Sequence, residues 1–173
     1  MPEALPYMGI PPVEIRRVGF TRPPVYVLTI ENFASFNRHV TEADPEHVGL
    51  TLYVGGYPAL STQRALSALS SMLPATTAFF HWSDIDADGT WIFRTIEHAL
   101  ARPLLPHLMS RELAEKYGER PTRASQLRVG EASASMISDL ADYLVDPSAK
   151  VMEQEEIDPE LPLCPIRHRS AAS

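Results

Sequence analysis

Cysteine is almost missing from this chain. Cys164 is the single one in 173 residues, so no disulfide can close within the chain and a disulfide-stapled secreted scaffold is excluded. A cytosolic location is the expectation. No apolar run approaches the roughly 20 residues that a membrane-spanning helix needs. The opening Met1-Pro2-Glu3-Ala4-Leu5-Pro6 lacks the basic-then-apolar order of a secretory signal. Lysine is scarce too: Lys116 and Lys150 are the only two, and the net charge is −7. Non-specific grip on nucleic acid comes mainly from cationic contacts to phosphates. This balance therefore argues against a domain that holds DNA by itself, though a catalytic domain delivered to DNA by another domain or subunit is compatible with it. The sequence also has no His-Glu-x-x-His or Cys/His cluster for zinc and no Gly-x-x-x-x-Gly-Lys loop for nucleotide phosphates.

The hydrophobic share, 45%, is ordinary for a soluble globular domain, and the length suffices for one real core. Residues 1–24 are proline-rich and read as an irregular lead-in. Val25 to Ile30 is apolar apart from Thr29 and reads as a buried parallel strand. Glu31 stands at its end, and Asn32 to Val40 should turn into a short helix. Val48 to Val54 is a second strand, stopped by Gly55-Gly56-Tyr57-Pro58. Ser61 to Leu73 has helical spacing that Pro74 ends. Thr77 to Trp82 is a third strand, Thr90 to Leu100 a helix, and Leu104 to Met109 a short edge strand because of Pro106. Ser110 is a good N-cap for a helix over Arg111 to Tyr117, with Gly118 after it. Further helices are expected over Glu131 to Val145, with Met136 inward, and over Ser148 to Glu156. The tail from Ile157 has no apolar period. Strands alternating with helices give an α/β fold with a mainly parallel sheet of about four strands flanked by helices.

The chemistry concentrates in Ser83-Asp84-Ile85-Asp86-Ala87-Asp88-Gly89-Thr90. Asp84 and Asp86 are two residues apart, so in extended backbone their side chains leave one face. Two carboxylates pressed together without a partner repel and tend to hold a proton; a hard divalent cation removes the conflict, and oxygen ligands suit magnesium. Ligands of parallel sheets collect at the carboxyl ends of strands, where both Glu31 and Asp84 stand. The alternative is solvated strand-end acids. Asp88 either extends such a site or caps the helix that starts near Gly89. His81 is expected to be structural. Arg64 and Arg94 are candidates for phosphate contacts or surface salt bridges.

Several families share parts of this pattern. Asp84-x-Asp86-x-Asp88-Gly89 resembles the start of an EF-hand loop, but Thr95 stands where the bidentate glutamate belongs. Asp86-Ala87-Asp88-Gly89-Thr90 resembles the signature of haloacid-dehalogenase-like phosphatases, with Asp86 as nucleophile and Asp88 as acid/base. That motif lies mid-chain here, and the family's later paired aspartates are not evident. Glu31 after one strand and Asp84-x-Asp86 after a later one, with Asp88 as an extra aspartate, resemble the Toprim domain of topoisomerases, primases and some nucleases.

Leu28-Thr29-Ile30-Glu31-Asn32-Phe33, Tyr53-Val54-Gly55-Gly56-Tyr57-Pro58 and Phe80-His81-Trp82-Ser83-Asp84-Ile85-Asp86 are more specifically similar to the Toprim part of the Wadjet nuclease subunit. That subunit works beside an SMC-like complex that removes plasmids from bacteria. The Toprim half of topoisomerase VI is a more distant likeness. The resemblance is strongest over roughly residues 25–100, and Glu153-Gln154-Glu155 resembles a further run of the Wadjet-type proteins.

The resemblance implies a Toprim-like Rossmannoid fold and a DNA endonuclease using Mg2+, with Mn2+ able to substitute. Glu31, Asp84 and Asp86 would be catalytic and, with Asp88, would hold the metal; Glu153, Glu155, Gly55 and Gly56 would be accessory. Plasmid DNA, SMC-like condensin-type subunits and a second copy of the chain are the implied partners. The family's upstream DNA-binding region has no counterpart here, so the chain is expected to be a C-terminal portion or a shortened relative. It would hydrolyse by metal-activated water rather than through a tyrosine. The expected organisation is a lead-in over 1–24, the catalytic domain over 25–156 and a tail over 157–173. A phosphohydrolase built on Asp86 and Asp88, or a non-catalytic interaction module, are the alternatives.

Overall fold

The computed structural model of the chain describes residues 7–121 and 134–162. Its centre is a four-stranded sheet of β1 (Tyr26–Ile30), β2 (Leu50–Tyr53), β3 (Ala78–Trp82) and β4 (Leu104–Pro106), in spatial order β2-β1-β3-β4. All three pairings are parallel. Every residue of β1 is buried, as are four of the five in β3, which is why both read as unbroken apolar runs. β2 is only partly covered and lies at an edge. At the opposite edge β4 tolerates Pro106, and the chain re-enters the ladder when His107 N–H donates to the His81 carbonyl.

The helices are α1 (Phe33–Arg38), α2 (Leu60–Met72), α3 (Ala87–Ala99), α4 (Arg111–Tyr117) and α5 (Ser138–Leu144). Right-handed crossovers send α1 to one face of the sheet and α2 and α3 to the other, and α2 and α3 do pack against each other. The strand order runs outward in both directions from the β1/β3 pair, so that pair is the topological switch point, where a crevice opens beyond the strand ends. Its register aligns Ile30 with Trp82. Glu31 and Asp84 therefore leave adjacent strands at one corner.

Several local expectations needed correction. Helix α3 starts at Ala87, three residues before Thr90, because Asp86 caps it, accepting from Gly89 N–H at 2.7 Å. Asp88 falls in the first turn and is not the cap. The helix expected over Ser148 to Glu156 does not form. Val151 bridges Glu119 and Met152 bridges Ile85, both antiparallel, and only Gln154–Glu156 makes a 3₁₀ turn. Helix α5 begins at Ser138, and Met136 is 52% exposed instead of inward; residues 131–133 of that expected helix lie outside the described residues. In the lead-in, Pro12–Arg17 forms a 3₁₀ turn against α2, and Tyr7 packs edge-on to Phe33 and Phe36. The tail is held as far as it is described: Ile157 leans on the core, and the Glu160 carbonyl lies 3.0 Å from His107 Nε2.

Ser110 caps α4 as expected, but Gly118 is not left-handed (φ −69°). A Cβ there would stand 2.6 Å from the carbonyl oxygens of both Ala114 and Val151, so close backbone approach explains that glycine. Gly55 and Gly56 have φ of +66° and +76°, which side-chain-bearing residues adopt at a cost. They turn the chain from β2 toward the strand-end corner.

Candidate functional site

The corner is tied together by backbone. Glu31 N–H donates to the Trp82 carbonyl at 3.1 Å, joining the exits of β1 and β3. Beyond β3, Ile85 exchanges backbone bonds with Met152 at 2.8 and 3.1 Å. That pairing holds the aspartate run extended until Asp86 starts α3.

Glu31, Asp84, Asp86 and Asp88 are all half-buried. Asp84 Oδ1 accepts from Gln154 N–H at 2.7 Å, and Asp88 Oδ1 accepts from the Tyr57 hydroxyl at 2.9 Å. Burial, and then the negative charge of Glu31, Glu153 and Asp86, push Asp84 up to about 7 against the opposing Gln154 bond. Burial also raises Glu31, reinforced by Asp86, Asp88 and Glu153 and offset in part by the Asp84 backbone N–H. Asp86 is raised by burial and by Asp88, against its bond from Gly89 N–H. Among the described residues no basic side chain contributes to any of these three shifts. The corner is an uncompensated nest of acids, in contrast to solvated strand-end carboxylates, which would titrate normally.

The structure thus gathers Glu31, Asp84, Asp86 and Asp88, with Glu153 at the rim. Glu155 is exposed and contributes to none of these shifts. Gly55 and Gly56 deliver Tyr57 rather than a ligand; Tyr57 itself is 54% exposed and not packed as a core residue. Arg64 is exposed, and Arg94 lies over the Trp91 ring at 5.1 Å. None of the ion pairs among the described residues involves either. His81 is wholly buried, with Nδ1 2.8 Å from Thr29 Oγ1, and is structural.

Among the described residues, no three acidic, histidine or cysteine side chains are already drawn together as a metal cage. Asp84, Asp86 and Asp88 each commit an oxygen to a protein donor. Glu31 likewise accepts from the Asp84 backbone N–H, but its Oε2 is buried and without a hydrogen-bond partner among the described residues, an arrangement that native interiors rarely leave uncompensated. Hard oxygen donors, excess negative charge and one orphaned buried oxygen fit a hard divalent cation.

Sequence reasoning missed Gln154, which is 1% exposed between two exposed glutamates. An uncharged amide inside an acidic run was the one available signal. Two cavities, of about 870 and 860 Å³, lie elsewhere, and neither is lined by Glu31, Asp84 or Asp86. Among the described residues no helix is long and apolar enough to cross a membrane.

A search of curated proteins finds no match. Over residues 4–161 the chain matches the family described as Wadjet protein JetD, C-terminal, and it belongs to that family.

Proposed function

We propose that this chain is a Toprim-type, metal-dependent DNA endonuclease domain that nicks or cleaves plasmid DNA within a Wadjet defence system. The observation that carries the reading is the corner itself: Glu31 and Asp84 leave adjacent parallel strands at the switch point, in a nest of acids that no cation among the described residues neutralises. Family membership supports the setting.

Glu31, Asp84 and Asp86 would hold Mg2+ or Mn2+, with Asp88 beside them. A divalent cation there supplies charge stabilisation on phosphate oxygens and a water of lowered pKa. Glu31 Oε2 is the oxygen free to take a proton, since no donor among the described residues occupies it. Asp86 ties the site to α3 by capping that helix, and Asp84 is braced from behind by Gln154. The net charge of −7 leaves DNA capture to other parts of the assembly, for which SMC-like subunits and a second copy of the chain are the proposed partners.

The test is conversion of supercoiled plasmid by the chain together with its Wadjet partners, in Mg2+ or Mn2+, compared with Asp84→Asn. Nicking or linearisation by the wild type alone is the expected result. No cleavage by the wild-type assembly removes the nuclease reading. Turnover of a small phosphomonoester that survives Asp84→Asn but not Asp86→Asn would replace it with a phosphohydrolase.

A further inference from the structure

Gln154 closes the carboxylate corner from the far end of the chain. Its side-chain Oε1 accepts from Asn32 N–H at 3.0 Å, its Nε2 donates to the Trp82 carbonyl at 3.1 Å, and its own N–H donates to Asp84 Oδ1 at 2.7 Å. The Trp82 carbonyl also accepts from Glu31 N–H. The peptide units on both sides of Glu31 are therefore pinned, yet Glu31 Oε2 is left buried and unpartnered. The Glu31 carboxylate also accepts from the Asp84 backbone N–H, so the corner is immobilised while one oxygen of that carboxylate stays open. Gln154 is itself fixed by the Ile85–Met152 bridge and by the 3₁₀ turn it begins.

We propose that Gln154 is the positioning residue of this site, its side-chain amide locking the Glu31 turn against the Asp84 turn in the arrangement that binds a divalent cation. The inference rests on the reading of the corner as a cation site. The chemistry requires an amide. One end must donate to Trp82 and the other accept from Asn32. A glutamate there would lose the donor and add another negative charge to Glu31, Asp84 and Asp86. A methionine would match the shape but leave the Asn32 N–H without its partner and the Trp82 carbonyl with the Glu31 N–H alone. Outer-shell groups that orient ligands typically account for about 10- to 100-fold in metal affinity.

The test is a Mn2+ titration of the full chain followed by electron paramagnetic resonance, for wild type and Gln154→Met, well below the melting temperature and with near-UV circular dichroism to verify the fold. The expected result is Mn2+ binding by the wild type, weakened about 10-fold or more in Gln154→Met, and weakened further in Gln154→Glu. Wild-type affinity in Gln154→Met overturns the positioning role while leaving the cation site standing. A wild type that takes up no Mn2+ overturns the cation site, and the positioning role with it. Should Gln154→Met fail to fold, hydrogen exchange on the wild type decides. The Asn32 N–H and the Gln154 Nε2 protons should exchange slowly, and more slowly with Mn2+; fast exchange of both sinks the proposal.

Discussion

The Tyr57 hydroxyl donates to Asp88 Oδ1 across 2.9 Å, fastening the glycine turn after β2 to the first turn of α3. Burial, then the bond to Asp88 and the charges of Asp88, Asp86 and Glu31, push this phenol up to about 12. It stays protonated at any working pH and acts as a donor. Tyr57→Phe should therefore keep strand cleavage, and because the ring is 54% exposed stability should move by no more than about 0.5 kcal/mol. Thermal melts and plasmid nicking check both. Loss of all cleavage in Tyr57→Phe would point to covalent tyrosine chemistry instead.

Asp84 sets stability against activity. Asparagine keeps an oxygen to accept from Gln154 N–H but carries no charge, so Asp84→Asn should abolish metal-dependent cleavage and raise metal-free stability. The sign follows from the raised carboxyl, about 7 in the fold against about 3.9 in an unfolded chain. Its contribution to stability is complete below about 4 and is lost as pH rises through about 7. The advantage of Asp84→Asn should thus be greatest above pH 7 and vanish near pH 4. Asp84 is partly exposed, and with that solvent screening the advantage is on the order of 1 kcal/mol. Denaturation of metal-free protein across this range measures it; equal stabilities at pH 8 would show that the nest carries no strain.

Much of this corner was legible in the sequence because it depends on local signals. β1 and β3 read as buried strands from their apolar runs, and an acid directly after a parallel strand falls at the ligand-binding edge wherever the strands sit. Ser110 announced α4 by its type and position. What could not be read was pairing at long range. Val151 and Met152 follow a helix-like pattern, yet Glu119 and Ile85 hold them extended. That same pairing keeps Asp86 at φ −153°, in cap geometry, and so decides between two aspartates that are equally able to cap. Gln154 finds partners 122 and 72 residues away, and no periodicity marks such a residue.

Gly89 is required by proximity. A Cβ there would stand 2.0 Å from the Asp84 carbonyl oxygen and 2.9 Å from Ser83 Oγ. Gly89→Ala must push the start of α3 away from the β3 exit and stretch the cap bond to Asp86, at an expected loss of about 2 kcal/mol. Gly19→Ala, where a Cβ would meet nothing within 4 Å, is the control and should be neutral. Urea midpoints compare them; matching midpoints would show that the α3 start has room to move.

His39 and His107, with the wholly buried His81 that burial lowers to about 3, set the acid limit of the fold. His39 is wholly buried, with Nε2 3.0 Å from the Tyr26 hydroxyl, which donates to Asp44 at 2.8 Å. The His107 ring stands 6.4 Å from it. Burial lowers each to about 4, with Asp44 opposing the shift at His39, while His39 adds to it and the Glu160 carbonyl opposes it at His107. Groups depressed in the fold give stability that is present above the unfolded value near 6.5 and lost as pH falls through about 4. At pH 5 the loss is about 2 kcal/mol per ring. His107→Gln keeps a donor for the Glu160 carbonyl but cannot charge, so it should flatten the decline between pH 6.5 and 4. Urea unfolding at half-unit pH steps measures the slope; a slope equal to that of the wild type would remove His107 from the account and place the acid limit elsewhere.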